Sequence, residues 1–174
     1  MGASLDGIKA VFLDLDGTIY LGGNLIPGAL EFLHRCDEQG IQRFFLSNNS
    51  SRSVTQYVKK LEGMGIPATA DDVLLSTHDC LAWLKKNNVT KTYCVGTEGM
   101  CKMLEAEGIA TRSLKPEYVV LGYDTETTYE KLETASLHLH AGVPLMASHP
   151  DMVCPSPDGG LPDVGAFLAL FKVT

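Results

Sequence analysis

Apolar segments of strand length alternate with amphipathic segments of helix length along this chain of 174 residues. In the first half, strands are predicted over residues 9–15, 42–47 and 73–75, the first of them buried, and helices over 27–39 and 53–63, the second with a capping-box pattern at residues 53–56. In the second half, strands are predicted over 91–95, 118–122 and 143–147, and helices over 78–87, 98–107, 127–140 and 165–171, with a second capping-box pattern at residues 127–130. Because strands that alternate with helices are joined by right-handed crossovers, this order predicts an α/β fold with parallel sheets and flanking helices.

The charge balance narrows the classes of ligand. The chain has 14 Lys and Arg residues against 21 Asp and Glu residues, a formal net charge of −7. A protein that follows a nucleic-acid backbone needs a basic face, so no nucleic-acid partner is expected. A small anionic substrate stays compatible with this charge if a divalent cation is bound. No apolar run approaches the roughly 18 residues of a membrane span, so no membrane partner is expected either.

The cysteines favour a reducing compartment. Their number is five, which is odd, and no pair has the CxxC spacing. This usage disfavours a disulfide framework and a structural zinc site. Residues 1–10 also lack the basic-then-apolar pattern of a signal peptide, so we expect a cytoplasmic protein.

Two aspartates at the end of the first predicted strand are the clearest candidates for chemistry. Asp14 and Asp16 are two residues apart, a spacing that places strand side chains on the same side. Gly17 lets the chain turn sharply after them, and Thr18 can bond locally to that turn. Ligands of open α/β sheets bind beyond the carboxyl ends of the strands, which is where this pair lies.

Like charges at one site need either a shared proton or a bound cation. With Mg²⁺ present, one carboxylate can act as ligand and nucleophile while the other acts as general acid, an arrangement suited to phosphoryl transfer. Two other interpretations stay open, a strand-ending turn and an EF-hand-like calcium loop. The calcium loop is disfavoured because Thr18 and Leu25 occupy its fifth and twelfth positions.

The apolar strand followed by Asp14-Leu-Asp16-Gly17-Thr18 resembles the first signature of the haloacid dehalogenase superfamily of phosphatases. A second apolar strand that ends in Ser47-Asn48-Asn49 resembles the second motif of that superfamily. The Ser-Asn-Asn form is similar to the branch of 4-nitrophenyl and phosphoglycolate phosphatases, which carry a large α/β cap after the second motif. The resemblance therefore implies a partial Rossmann-like core with an inserted α/β cap.

The resemblance also implies roles for individual residues. Asp14 would be the nucleophile and a magnesium ligand, and Asp16 would be the general acid/base and bind the metal through its backbone carbonyl. Ser47 and Asn48 would contact the phosphoryl group, together with backbone N–H groups after Asp14 that include Gly17. His149 and Asp151 of the cap are candidates for substrate contacts. The competing interpretations are a helix-capping loop at 47–49 and a plain turn at 149–150.

We expect residues 1–77 to form the N-terminal part of the core and residues 78–174 the cap. In this branch a third motif with a lysine and a fourth with further aspartates follow the cap, and the chain ends at Thr174 before either. The expectation is a fragment whose metal site is incomplete and whose own activity is low, with the C-terminal part of the core missing.

The resulting hypothesis is a Mg²⁺-dependent phosphatase that hydrolyses a small phosphorylated metabolite through an aspartyl-phosphate. Two alternatives stay open: a phosphotransferase or mutase on the same fold, and a non-catalytic binding or regulatory module derived from it. Relatives of this branch often pair through the cap, so a homodimer through the cap is also left open.

Overall fold

The computed structural model describes residues 5–174, so the first four residues of the predicted core segment lie outside the described range. The strands are β1 (Ala10–Asp14), β2 (Tyr20–Leu21), β3 (Asn24–Leu25), β4 (Gln42–Ser47), β5 (Val73–Leu75), β6 (Thr92–Val95), β7 (Tyr118–Leu121), β8 (Leu145–Ala147), β9 (Val153–Ser156) and β10 (Gly159–Pro162). The helices are α1 (Ala29–Glu38), α2 (Val54–Gly63), α3 (Ser76–Lys86), α4 (Glu98–Ala106), α5 (Tyr129–His140) and α6 (Val164–Val173), with a 3₁₀ turn at Ala70–Asp72.

Two three-stranded parallel sheets organise the described residues, in the orders β1-β4-β5 and β6-β7-β8. The parallel sheets expected from the alternating pattern are thus present. Two antiparallel pairs, β2 with β3 and β9 with β10, were not among the sequence predictions.

The first sheet is covered by helices on one face. Leu33 of α1 and Leu61 of α2 pack with Phe45 of β4 in one apolar cluster. On the opposite face Phe12 of β1 is 66% exposed and Leu74 of β5 is 53% exposed. The prediction of a buried first strand is therefore wrong for that face, because a parallel strand is buried on both sides only where both faces of its sheet are covered.

The second sheet is covered on both faces. α3 and α4 pack on one side through residues such as Leu84 and Leu104, and α5 and α6 pack on the other through Ala135 and Val164. All four residues of β6 are buried as a result. The second sheet therefore has a core of its own, separate from that of the first.

Helix ends follow local capping chemistry. Ser53 and Gln56 form the capping box that the sequence predicts at the start of α2. The box predicted at residues 127–130 is wrong by one position, because Thr128 caps α5 by accepting from the Lys131 N–H.

The predicted domain boundary at 77/78 stays a prediction, and it falls in the first turn of α3.

A buried ion pair joins α5 to the segments that follow β6 and β7. The carboxylate of Asp124 is enclosed, and Lys131 Nζ lies 2.9 Å from its Oδ2. The same ammonium donates to the carbonyl oxygens of Gly96 and Glu126. Asp124 also accepts the Glu126 N–H.

We predict that Lys131→Met lowers the free energy of unfolding by about 3–5 kcal/mol, because it leaves the buried carboxylate of Asp124 without its counter-charge. Lys102→Met is the matched control, because its pair with Glu98 is exposed and should change stability little. Urea unfolding of both variants measures the difference. Equal losses for the two lysines would contradict the importance given to the buried pair.

Candidate active site

Asp14 and Asp16 are positioned by the end of β1 and the turn after it. Asp14 is the last residue of the strand, and fully buried Leu15 anchors the chain between the two carboxylates. Gly17 has a φ of 89°, a left-handed conformation that glycine adopts without strain, and its N–H donates to the Tyr20 carbonyl at 2.7 Å. That N–H is already engaged in the turn, so its contact with phosphate stays a prediction.

Both carboxylates line one cavity of about 310 Å³. Its walls are Asp14, Asp16, Asn48, Asn49, Asp151, Val153, Cys154, Pro155 and Asp163. Four of these described residues are aspartates and none is Lys or Arg. A phosphate group would meet strong repulsion here unless a cation or bound protons offset the negative charge.

Asp16 lies in the less hydrated part of this site. Burial raises its pKa, and the neighbouring charge of Asp14 adds to that effect, while Lys60 and a hydrogen bond from Asn49 act in the opposite direction. Its Oδ2 is buried and has no hydrogen-bond partner within residues 5–174. A buried carboxylate oxygen of this kind is costly unless a proton or a cation meets it.

The second predicted motif lies at the end of the neighbouring strand. Ser47 ends β4 and is buried, and its hydroxyl accepts the Asn49 N–H at 3.2 Å and lies 3.4 Å from the Tyr57 hydroxyl. Ser47 lines an adjoining opening of about 560 Å³ rather than the four-aspartate cavity. Asp14 and Asn48 border both spaces, so the structure brings Ser47 next to the site without placing it in the same cavity.

The loop that follows β8 contributes Asp151. The side-chain amide of Asn48 donates to the Asp151 carboxylate and so joins the two halves across the cavity. Gly165 fixes the loop that carries Asp151, because its N–H donates to the Asp151 carbonyl at 2.7 Å. A Cβ at Gly165 would lie 2.3 Å from the Pro150 carbonyl oxygen, so only glycine allows this approach.

Asp163 is a site residue that the sequence interpretation missed. It caps α6 by accepting the Val164 N–H at 2.7 Å, and burial raises its pKa against the lowering effect of that bond. His149 Nε2 lies 3.4 Å from its carboxylate, and His149 Nδ1 lies 3.8 Å from Asp151. The signal that could have found it is an Asp directly before a helical run, the usual position of an N-cap.

The donor set fits a magnesium ion. Asp14 and Asp16 offer hard oxygen ligands. The Oδ2 atom of Asp16 is buried without a hydrogen-bond partner in the described residues, so a cation or a proton there would offset its desolvation cost. Among residues 5–174, no cluster of three or more His, Cys, Asp or Glu side chains could hold a metal by itself. Mg²⁺ tolerates this because it commonly binds through one or two carboxylates and completes its shell with water and substrate phosphate.

Comparison with known proteins gives the family. Residues 11–110 match the family model of the haloacid dehalogenase-like hydrolases. The chain is 34% identical over 168 residues to an acid sugar phosphatase of Staphylococcus saprophyticus, covering 95% of this chain and 65% of that relative. The chain thus spans about two-thirds of the length of that curated relative.

Solved structures share the fold. A 4-nitrophenylphosphatase from Thermotoga maritima has a TM-score of 0.89 at 38% identity, over 97% of this chain and 65% of that one. A glycerol phosphate phosphatase from Mycobacterium tuberculosis in complex with magnesium has a TM-score of 0.86 at 27% identity, over 95% of this chain and 51% of that one. The α/β fold class and the resemblance to the 4-nitrophenyl phosphatase branch are confirmed. The chain belongs to the haloacid dehalogenase-like hydrolase family.

Proposed function

We propose that the protein is a Mg²⁺-dependent phosphatase that hydrolyses a small phosphorylated metabolite through an aspartyl-phosphate on Asp14. The observation that carries the proposal is the pair Asp14 and Asp16 on the wall of one cavity, in a chain of this hydrolase family. The names of the relatives support phosphomonoester hydrolysis, since they are an acid sugar phosphatase, a 4-nitrophenylphosphatase and a glycerol phosphate phosphatase.

In the first step a carboxylate oxygen of Asp14 attacks phosphorus. An aspartyl-phosphate bond forms, and the bond from phosphorus to the ester oxygen breaks. Asp16 gives its proton to the departing oxygen, a role that its raised pKa favours because the group then holds a proton nearer to neutral pH.

In the second step water attacks the same phosphorus. Asp16, now ionised, takes a proton from that water, and the bond between Asp14 and phosphorus breaks to release inorganic phosphate. Asp14 is ionised again and Asp16 is protonated, so the protein returns to its starting state.

Polar groups around Asp14 would hold the phosphoryl oxygens. The Ser47 hydroxyl and the Asn48 amide border the space beside Asp14 and can donate hydrogen bonds without adding charge. Asp14 and the backbone carbonyl of Asp16 would hold Mg²⁺, which offsets phosphate charge when it is bound. The absence of Lys or Arg from the described cavity wall supports this need for a cation.

The cap side of the cavity supports a substrate with hydroxyl groups. Asp151 and Asp163 present carboxylate acceptors, and Val153 and Pro155 add apolar surface. Carboxylates accept hydrogen bonds from the hydroxyls of sugars and polyols. This matches the sugar and glycerol phosphates in the names of two relatives, so we include them in the proposed substrate class.

Location and partners are part of the same proposal. All five cysteines are buried free thiols, which supports a reducing compartment such as the cytoplasm. Over residues 5–174, the structure has no helix with the length and apolar character that a bilayer crossing requires. The acidic net charge argues against a nucleic-acid partner, and pairing of two copies through the cap stays a prediction.

We predict that Asp14→Asn in the intact gene product lowers phosphate release from 4-nitrophenyl phosphate by at least about a thousandfold, because the amide is not a nucleophile. The fold should be retained, since Asp14 is exposed at the end of β1. Exposed Asp71→Asn is the control and should keep full activity. Turnover by the Asp14 variant at the level of that control would rule out the nucleophile.

We predict that EDTA stops the reaction and that added Mg²⁺ restores it, because the acidic cavity cannot accept phosphate without a compensating cation. The measurement is initial rate against free Mg²⁺ concentration. Undiminished turnover in EDTA would contradict the cation requirement.

We predict a pH-dependent stability gain in Asp16→Asn when EDTA is present. Since burial raises the pKa of folded Asp16, the folded wild type binds more protons than the unfolded chain and loses stability as the pH rises from the ordinary value of 3.8 through the raised value. The variant lacks this loss, so its advantage should grow across that window and persist at neutral pH. Urea unfolding at several pH values measures the difference in the free energy of unfolding between the variant and the wild type. A difference that is largest at the acidic end of the window would contradict the prediction.

A further inference from the structure

Lys60 of α2 lies behind Asp16 and outside the cavity wall. Its Nζ is 3.9 Å from Oδ1 of Asp16 and 3.7 Å from the centre of the Tyr20 ring. The side chains of Lys60 and Asp16 are only 21% and 20% exposed. Contacts between charges that are this enclosed are screened much less than contacts on the surface.

Buried residues enclose Lys60 on two sides. Tyr20 is fully buried and accepts the Gly17 N–H through its carbonyl, so it belongs to the same turn as Asp16. On the helix side, buried Tyr57 and Leu61 flank Lys60 and fix the direction in which it leaves α2. The ammonium is therefore held between an aromatic face and a carboxylate, two contacts that act against the burial that lowers the pKa of Lys60.

We propose that Lys60 is a positioning residue that holds Oδ1 of Asp16 and leaves Oδ2 as the oxygen that exchanges the proton with the ester. The two oxygens differ in the described structure, because Oδ1 faces the ammonium and Oδ2 has no hydrogen-bond partner. The inference rests on the proposed phosphatase function. It concerns a lysine of the first half of the chain, unlike the third-motif lysine that the resemblance places after the cap.

A positioning role of this kind has a specific consequence. An acid that is free to rotate transfers its proton less well, and the loss matters only where the leaving group needs a proton. The 4-nitrophenolate ion departs without one because its charge is delocalised into the nitro group. The 4-methylphenolate ion holds its charge poorly and depends on the acid. The two aryl phosphates are similar in size, so a change in substrate binding should alter kcat/KM for both esters by a similar factor.

The test compares kcat/KM for 4-nitrophenyl phosphate and 4-methylphenyl phosphate with Mg²⁺ present, in the intact gene product. This parameter covers the steps up to departure of the phenol and not the later attack of water. In Lys60→Met we expect a loss of about tenfold or more for the 4-methylphenyl ester and less than about threefold for the 4-nitrophenyl ester.

Two further variants separate the positioning of Asp16 by Lys60 from a general effect of removing a lysine from α2. Lys60→Arg should recover most of the loss, because a guanidinium keeps the charge and stacks on an aromatic ring. Lys59→Met, one position earlier and exposed, should behave as wild type with both esters. Circular dichroism checks the fold of each variant, and Lys60→Gln takes the place of Lys60→Met if that variant does not fold.

Equal losses for the two esters, or no loss, would overturn the role of Lys60 while leaving the phosphatase proposal standing. Hydrolysis of neither ester by the wild type would overturn the phosphatase proposal itself. The two failures therefore give different results in the same experiment.

Discussion

Burial of one carboxylate beside another is the constraint on which the site depends. Partial burial of Asp16 disfavours its ionisation and raises its pKa, and the negative charge of nearby Asp14 adds to this cost. The turn that imposes the arrangement is held by buried Leu15 and Tyr20 and by the left-handed Gly17. A fold that holds two carboxylates in this way creates a site that favours binding of a proton or a cation. A phosphoryl-transfer site uses both, a proton for the leaving group and a cation to offset the charge of phosphate.

The second half of the chain completes the cavity. Ser50 is fully buried between the two sheets, where its hydroxyl accepts the Tyr123 N–H at 2.8 Å and lies 3.0 Å from the Ser148 hydroxyl. The bond from Asn48 to Asp151 closes the same side of the site. Because these contacts join the strand ends of the two sheets, the carboxylates of the second half face those of the first across a space the size of a small ligand.

Local features of the fold could be predicted from the sequence, and contacts between distant segments could not. Strands β4 and β5 and the capping box at Ser53 depend on short patterns, and the sequence predicts their bounds as observed. The hairpin of β9 and β10 has a local turn signal in Pro157-Asp158-Gly159, yet its Pro- and Gly-rich strands lack the alternation that indicates a strand.

The candidate site divides in the same way. Asp14 and Asp16 are recognisable because their spacing is itself the motif. Asp163 is separated from His149 by a whole hairpin, so only the folded chain shows that their side chains meet. Lys60 gives no signal in the sequence, since an amphipathic helix carries lysines on its exposed faces as a rule and only packing against Tyr20 distinguishes it from Lys59.

The covalent bond between Asp14 and phosphorus can be tested most directly in the Asp16→Asn variant with 4-nitrophenyl phosphate and Mg²⁺. This ester needs no acid for its departure, whereas the attack of water lacks its base, so the aspartyl-phosphate should accumulate. Rapid acid quench and peptide mass spectrometry should then find one added phosphoryl group on Asp14. Release of 4-nitrophenolate with the phosphoryl group on another residue, or on no residue of the protein, would contradict the account.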